Sequence, residues 1–326
     1  MLSYLITICV RSVRMFTTVA RIMLPVMLIV YIADRLGLVR LSGEVLAPVM
    51  GLLGLPPEAG IIWATTLLTN IYAGMATMAV LSDNLQMNVA QISALGAMML
   101  FAHNIPTEQS IVRKAGASAL ITGGLRLGIG ALYGGLTAWI CNAFGLLQAP
   151  VSLAWMHHDE ALQQGPQDFL TWIWNTAESM VLVFVVIVAL VLLLDVLERF
   201  GITRQITRLL TPVLRLSGLE ERAAPLTTVG VLLGLAYGGA LIIEAADREN
   251  FSPRTRLLAL SWLSLCHALI EDTVLILAIG ADIWVVLVFR TLATLGILAL
   301  MARLTLPGTP WGNRLQADAR PGRGPG

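Results

Sequence analysis

Charged residues are scarce in this sequence: Asp, Glu, Lys and Arg make up only 13% of its 326 residues. Soluble globular chains carry about 25%. The shortage excludes a cytosolic enzyme, a nucleic-acid binder and a disordered scaffold. A net charge of +1 gives no sign of a polyanionic partner. Because 57% of the residues are hydrophobic, the composition instead predicts a polytopic membrane protein in contact with the lipid bilayer.

Cysteines and catalytic motifs are also few. Cys9, Cys141 and Cys266 are odd in number and have no C-x-x-C spacing, which excludes a disulfide framework and a zinc knuckle. The sequence contains neither the phosphate-binding pattern G-x-x-x-x-G-K-[ST] nor the zincin pattern H-E-x-x-H. We therefore expect no enzyme and no resident cofactor.

The fold is predicted from the apolar segments of the sequence. A helix needs about 20 apolar residues to cross the hydrocarbon core. The sequence predicts an all-α protein with apolar segments at 15–33, 58–82, 88–105, 115–143, 171–194, 225–246, 257–280 and 283–304. Residues 146–171 are polar and predict an extracytoplasmic linker. Residues 306–326 are rich in Pro, Gly and Arg and predict a disordered cytoplasmic tail.

A shift of 164 residues aligns the sequence with itself from Arg35 to Arg126. This single register pairs Pro48 with Pro212, His103 with His267, Glu108 with Asp272 and Arg126 with Arg290. An unbroken register of this length is hard to produce by chance among apolar segments. The chain is therefore predicted to contain two homologous repeats, 1–145 and 172–305.

Basic residues indicate that the two repeats are inverted, because Lys and Arg accumulate on the cytoplasmic side. The first repeat opens with Arg11, Arg14 and Arg21, whereas the matching stretch 175–185 has no basic residue. Inversion requires an odd number of crossings in each repeat. The sequence predicts about six transmembrane helices, two re-entrant hairpins at 58–82 and 225–246, and two cytoplasmic termini.

Each predicted hairpin has a break near its middle, at 69–74 and at 236–239. Irregular backbone at that depth is tolerated only where it faces protein or a water-filled cavity. Asn70, Tyr72 and Tyr237 lie at these breaks and are candidate substrate-binding residues.

Ionisable residues inside apolar segments are costly and usually functional. They are His103, Glu108, Arg126, Glu244, His267, Glu271, Asp272 and Arg290. Pro106 predicts that the helix opens beside His103, whereas His267 and Glu271 are expected to share one helix face. The functional interpretation is a polar site built from both repeats. The structural alternative pairs Glu108 and Asp272 with Arg126 and Arg290, and leaves Glu244 at the membrane interface.

The two-fold Pro-Val-x-x-Leu-x-Gly-Leu element, the Gly-broken hairpin and the polar His turn resemble the nucleoside-recognition, or Gate, family. That domain occurs in spore-maturation membrane proteins and in the membrane part of the ferrous-iron permease FeoB, and is similar to part of the concentrative nucleoside transporters. The resemblance implies two Gate copies, 45–145 and 209–305, and a transport-type fold. FeoB's GTPase domain has no counterpart here.

These features predict a secondary transporter of the bacterial inner membrane that works by alternating access, with H⁺ or Na⁺ as a possible coupling ion. A nucleoside-like solute would use Asn70, Asn104 and carboxylate hydrogen bonds, with Tyr72 or Tyr237 stacking on its base. A divalent metal would use the polar turns, with the candidate ligands His103, His267, Glu108, Glu271, Asp272 and Cys266. A non-transporting scaffold is the alternative from another class, and a homo-oligomer is compatible with each. Helix depth leaves open whether the two polar turns form one site or two.

Overall fold

Helices account for the regular structure of the chain in its computed structural model, which describes residues 2–81, 85–151, 223–249, 251–269 and 271–313 and parts of 169–192. Within these ranges there is no β-strand, only an isolated bridge between Asn88 and Pro150. The predicted all-α fold is confirmed to that extent. Most of the predicted linker, and the start of the predicted second Gate copy, lie outside the described residues.

Seven helices belong to the first half of the chain: α1 Leu2–Arg35, α2 Leu38–Leu52, α3 Ala59–Leu68, α4 Ile71–Leu81, α5 Val89–Phe101, α6 Ile105–Lys114 and α7 Ala119–Ala143. The second half contributes α8 Ala224–Arg248, α9 Pro253–Leu265, α10 Glu271–Ala278, a π-helix at Trp284–Phe289 and α11 Arg290–Leu304. Residues 306–313, predicted to be disordered, form turns and a short helix at 310–313.

Three helical segments of the described chain are long and apolar enough to cross a membrane: Val89–Lys114, Ala119–Ala143 and Trp284–Leu304. They overlap the apolar segments predicted at 88–105, 115–143 and 283–304, although the first extends through α6 to Lys114. A helix of 25 residues is about 37 Å long, which exceeds the hydrocarbon thickness of about 30 Å. The six crossings and the inversion stay predictions.

The helices pack into two apolar cores. Each core is built mainly from one half of the chain and also contains residues from the other half. Ile276 of α10 and Val286 of the π-helix are buried in the core built mainly from the first half. Ile111 and Val112 of α6 are buried among second-half residues such as Trp262. The polar turns that precede α6 and α10 therefore lie where the two halves cross.

Local geometry recurs at the offset of the sequence repeat. Helices α5 and α9 each have 13 residues, and their starts and ends are 164 residues apart. The side chain of the residue before each helix, Asn88 or Ser252, accepts a hydrogen bond from the amide three residues later. Asn104 and Ala268, also equivalent, both adopt left-handed backbone with φ of 47° and 44°. Such φ values are uncommon outside glycine, so the two polar turns share an unusual conformation.

The first predicted hairpin breaks where expected. Helix α3 ends at Leu68 and α4 begins at Ile71, with Thr69 and Asn70 between them. Gly74 packs so closely against the Thr66 side chain that a Cβ atom at position 74 would overlap its hydroxyl. Residues eight apart along a straight helix would be about 12 Å apart, so α4 folds back against α3.

The second predicted break is wrong in position. Residues 236–239 are helical within α8, and the irregular residue is Gly234, with φ 76° and ψ 173°. Gly234 is the repeat equivalent of Asn70. Only glycine adopts this backbone conformation without a steric penalty, which explains why the break lies there and not at Tyr237.

Candidate functional site

The two polar turns meet in one buried cluster. His103 follows α5 and His267 follows α9, and their Nε2 atoms are 3.0 Å apart. His103 is 6% exposed and His267 is 3% exposed. The question of one site or two is thereby answered for the described residues, because both turns contribute to the same cluster.

The hydrogen bonds of the two imidazole rings fix their tautomers. Nδ1 of His103 lies 2.9 Å from the carbonyl oxygen of Met99, and Nδ1 of His267 lies 2.6 Å from that of Leu263. A carbonyl oxygen only accepts hydrogen bonds, so each Nδ1 carries a hydrogen. In a neutral ring Nε2 is then an acceptor. The two Nε2 lone pairs consequently face each other and repel unless a cation lies between them.

Two carboxylates complete the cluster and connect the two halves of the chain. Glu108 Oε1 lies 3.4 Å from Nε2 of His103 and 3.3 Å from Nε2 of His267. Asp272 Oδ2 lies 3.6 Å from Nε2 of His103. Each carboxylate thus contacts the histidine of the other half of the chain. With neutral imidazoles the carboxylates make the site anionic, which favours a bound cation.

Arg126 holds the first polar turn in place from a fully buried position. Its Nε donates to the carbonyl of Phe101 at 2.7 Å, and Nη2 donates to that of His103 at 2.9 Å. Nη1 forms an ion pair with Oε2 of Glu108. One oxygen of Glu108 is therefore neutralised by the guanidinium while the other faces the histidines. Glu108, Asp272 and Arg126 together leave one net negative charge.

Arg290 does not repeat this arrangement. It is also fully buried, but Nε, Nη1 and Nη2 have no hydrogen-bond partner among the described residues. The alternative that pairs Asp272 with Arg290 is wrong for this structure, because Asp272 contacts His103 instead. Arg126 therefore has an ion pair with Glu108, whereas the matching Arg290 has no such pair among the described residues.

The expectation that His267 and Glu271 share a helix face is wrong. Helix α9 ends at Leu265, and α10 begins only at Glu271. The chain opens at His267 without a proline, as it does at His103 beside Pro106. The side chain of Glu271 lies outside the described residues.

Asn70, Tyr72 and Glu244 lie at exposed positions, unlike the two buried histidines. Asn70 is exposed, and its Oδ1 accepts from the amide of Ala73 at the start of α4. Tyr72 is half-exposed. Glu244 pairs with Arg11 at 3.7 Å at an exposed position. The side chain of Tyr237 lies outside the described residues.

Asn104 is the predicted residue nearest the histidines in sequence and marks the left-handed residue of the first turn. Its amide donates to the carbonyl of Thr66 in α3, and the equivalent Ala268 donates to the carbonyl of Gly230 in α8. Sequence reasoning missed the carbonyls of Met99 and Leu263 that fix the tautomers. The sequence signal for these contacts is the spacing, because each carbonyl belongs to the residue four positions before its histidine.

The donor atoms are spaced for a metal ion. His103, His267 and Asp272 each offer one ligand atom, and these atoms all lie within 4.8 Å of one another. Nitrogen and carboxylate oxygen together suit zinc, iron and neighbouring divalent metals. Among the described residues this is the only such group of His, Cys, Asp and Glu.

Comparison with known proteins agrees with a membrane protein of this kind. Residues 180–283 match the family described as nucleoside recognition, named Gate. Over 300 residues the chain is 26% identical to an uncharacterized membrane protein of Bacillus subtilis strain 168, YvoD, with 87% of this chain and 89% of the relative covered. No solved structure matches the chain. The predicted resemblance to the nucleoside-recognition (Gate) family is confirmed at residues 180–283, which match that family, and the chain is a membrane protein.

Proposed function

We propose that the chain is a permease of the bacterial cytoplasmic membrane whose substrate is a divalent transition-metal cation. The cation is bound where the two polar turns meet, by His103, His267 and the carboxylates of Glu108 and Asp272. The protein has no catalytic role in this proposal, and both termini are cytoplasmic.

One observation carries the proposal: the two imidazole Nε2 atoms face each other with their Nδ1 hydrogens engaged elsewhere. With Glu108 Oε1 they form a triangle with edges of 3.0, 3.3 and 3.4 Å. Metal–ligand distances of about 2.0–2.1 Å give ligand–ligand distances of about 2.8–3.4 Å. The triangle therefore has the size of one face of a metal coordination shell. A proton would satisfy the nitrogen pair alone, whereas a metal also uses the carboxylates.

A nucleoside-like solute is less well supported. Asn70 is engaged as the cap of α4, and it is exposed whereas the histidines are buried. Two facing imidazole nitrogens offer a neutral base no donor, and the adjoining carboxylates also only accept hydrogen bonds. The chemistry of the cluster thus favours a cation over a neutral organic solute.

Transport in this proposal proceeds by alternating access between inverted repeats. The recurrence of cap, helix and left-handed turn at 164 residues supports two equivalent repeats. The exchange of α6 and α10 between the two cores supports a site shared by both. A relative rocking of the repeats would then open the cluster to one side of the membrane at a time.

The experiment compares wild-type protein with two double histidine variants. The chain has four histidines, so His157→Gln with His158→Gln is a matched control for His103→Gln with His267→Gln. Zn²⁺ at 100 times its dissociation constant is expected to stabilise the wild type and the control by about 2.7 kcal/mol. The His103 and His267 variant should lose this shift in thermal unfolding, and should lose Zn²⁺ uptake into proteoliposomes that contain a fluorescent chelator.

Equal Zn²⁺ stabilisation of both double variants would reject the proposal. Stabilisation by nucleosides that disappears in Asn70→Ala would favour the organic-solute transporter instead. If neither class of ligand binds and no uptake occurs, the scaffold becomes the better explanation.

A further inference from the structure

This inference rests on the proposed metal transport and concerns Arg290, which that function does not use. Arg126 and Arg290 are equivalent residues of the two repeats, and both are fully buried. Arg126 makes an ion pair with Glu108 and two hydrogen bonds to carbonyls. The three guanidinium nitrogens of Arg290 have no such partner in the described part of the chain.

A buried charge without a partner is unfavourable, because it loses its hydration and gains nothing in return. Proteins retain such a group when it serves another state or a ligand. We therefore expect the partner of Arg290 to be a group that reaches it in another conformation of the site.

Asp272 is that partner by its position in the repeat. Glu108 precedes Arg126 by 18 residues, and Asp272 precedes Arg290 by the same spacing. Here Asp272 contacts His103 of the other repeat at 3.6 Å, and its side chain is only 13% exposed. Asp272 lies at His103 while Arg290 has no hydrogen-bond partner in the described part of the chain, so pairing with Arg290 requires the carboxylate to turn away from the histidine.

We propose that Arg290 is a positioning residue that competes with the bound cation for Asp272. When Asp272 is held at the histidines, the cation is retained and Arg290 is unpaired. When Asp272 turns to Arg290, the cation loses a ligand and leaves, while Glu108 stays on Arg126. Arg290 therefore sets the rate at which the metal is released.

The test measures Zn²⁺ release from the full-length protein in nanodiscs after mixing with a fluorescent chelator. Arg290→Gln should slow release about tenfold, within the coupling range of neighbouring charged groups. Arg290→Lys should restore the wild-type rate, since it keeps the charge. Arg303→Gln, at an exposed position in the last turn of α11, is the control and should leave release unchanged.

Asp272→Asn provides the second arm and a double-mutant cycle. It should speed release, and adding Arg290→Gln to it should change the rate no further, because the competition has been removed. If Arg290→Gln alone does not fold, Asp272→Asn still tests the inference, because release no faster than in the wild type would contradict a role of Asp272 in retaining the cation.

Three results would overturn the inference. Equal release rates in the wild type and Arg290→Gln would show that Arg290 does not act on the cation. Release that depends on added chloride or phosphate, with the dependence lost in Arg290→Gln, would make an external anion the partner in place of Asp272. Failure of the wild type to bind Zn²⁺ would remove the proposed function as well, whereas normal binding with no Arg290 effect would reject this inference alone.

Discussion

The contrast between Arg126 and Arg290 predicts opposite effects on stability from the same substitution. Arg126→Met removes two hydrogen bonds, at 2.7 and 2.9 Å, and leaves Glu108 buried without its cation. Breaking a buried pair in this way costs about 3–5 kcal/mol. Arg290→Met removes a buried charge that has no partner in the described residues, and methionine occupies much of the same space. It should stabilise the protein by about 1–4 kcal/mol.

The assay is SDS-induced unfolding followed by tryptophan fluorescence, with both variants and the wild type in metal-free buffer. Metal must be absent because binding would add its own stabilisation. A loss of stability in Arg290→Met as large as that in Arg126→Met would refute the reasoning. That result would mean that Arg290 has a partner in the native protein and that the two repeats are electrostatically alike.

Two further predictions concern helix packing and capping. Gly134→Val in α7 places a side chain on Met98 and should cost about 1–3 kcal/mol, whereas Gly128→Val on the same helix meets open space and should change stability by about 0.5 kcal/mol or less; equal losses in SDS unfolding would show that the two glycines do not differ in packing. Asn88→Ala removes the capping box of α5 and should cost about 1 kcal/mol in the same assay, as should Ser252→Ala for α9. An unchanged midpoint in both would mean that these caps do not limit helix stability.

The sequence repeat predicts which residues form the site better than it predicts how they are arranged in space. His103, Glu108, His267 and Asp272 stand out in the sequence because ionisable residues are rare at membrane depth, and the structure brings all four together. Their convergence could not be derived from depth counted along straight helices. Helix α9 ends at Leu265, and the open turn that follows carries His267 to its equivalent in the other repeat.

The incorrect predictions share a physical cause. The local sequence allows more than one conformation or partner, and tertiary packing determines which one forms. Gly234, Gly238 and Gly239 all permit an irregular backbone, but only Gly234 takes it. The sequence leaves two arrangements open for Asp272: a polar site shared with the histidines, or an ion pair with Arg290. The fold places the carboxylate at His103, in the other half of the chain.

The exchange of helices between the two cores has a consequence for biosynthesis. The ribosome delivers the first half before Ile276 and Val286 exist, so the translocon receives a half whose core lacks the residues that fill it. In the same interval Ile111 and Val112 have no apolar partners from the second half. A first half expressed alone would therefore present unfilled surfaces to lipid and to quality-control proteases. Neither core can be complete before the second half of the chain has been synthesised.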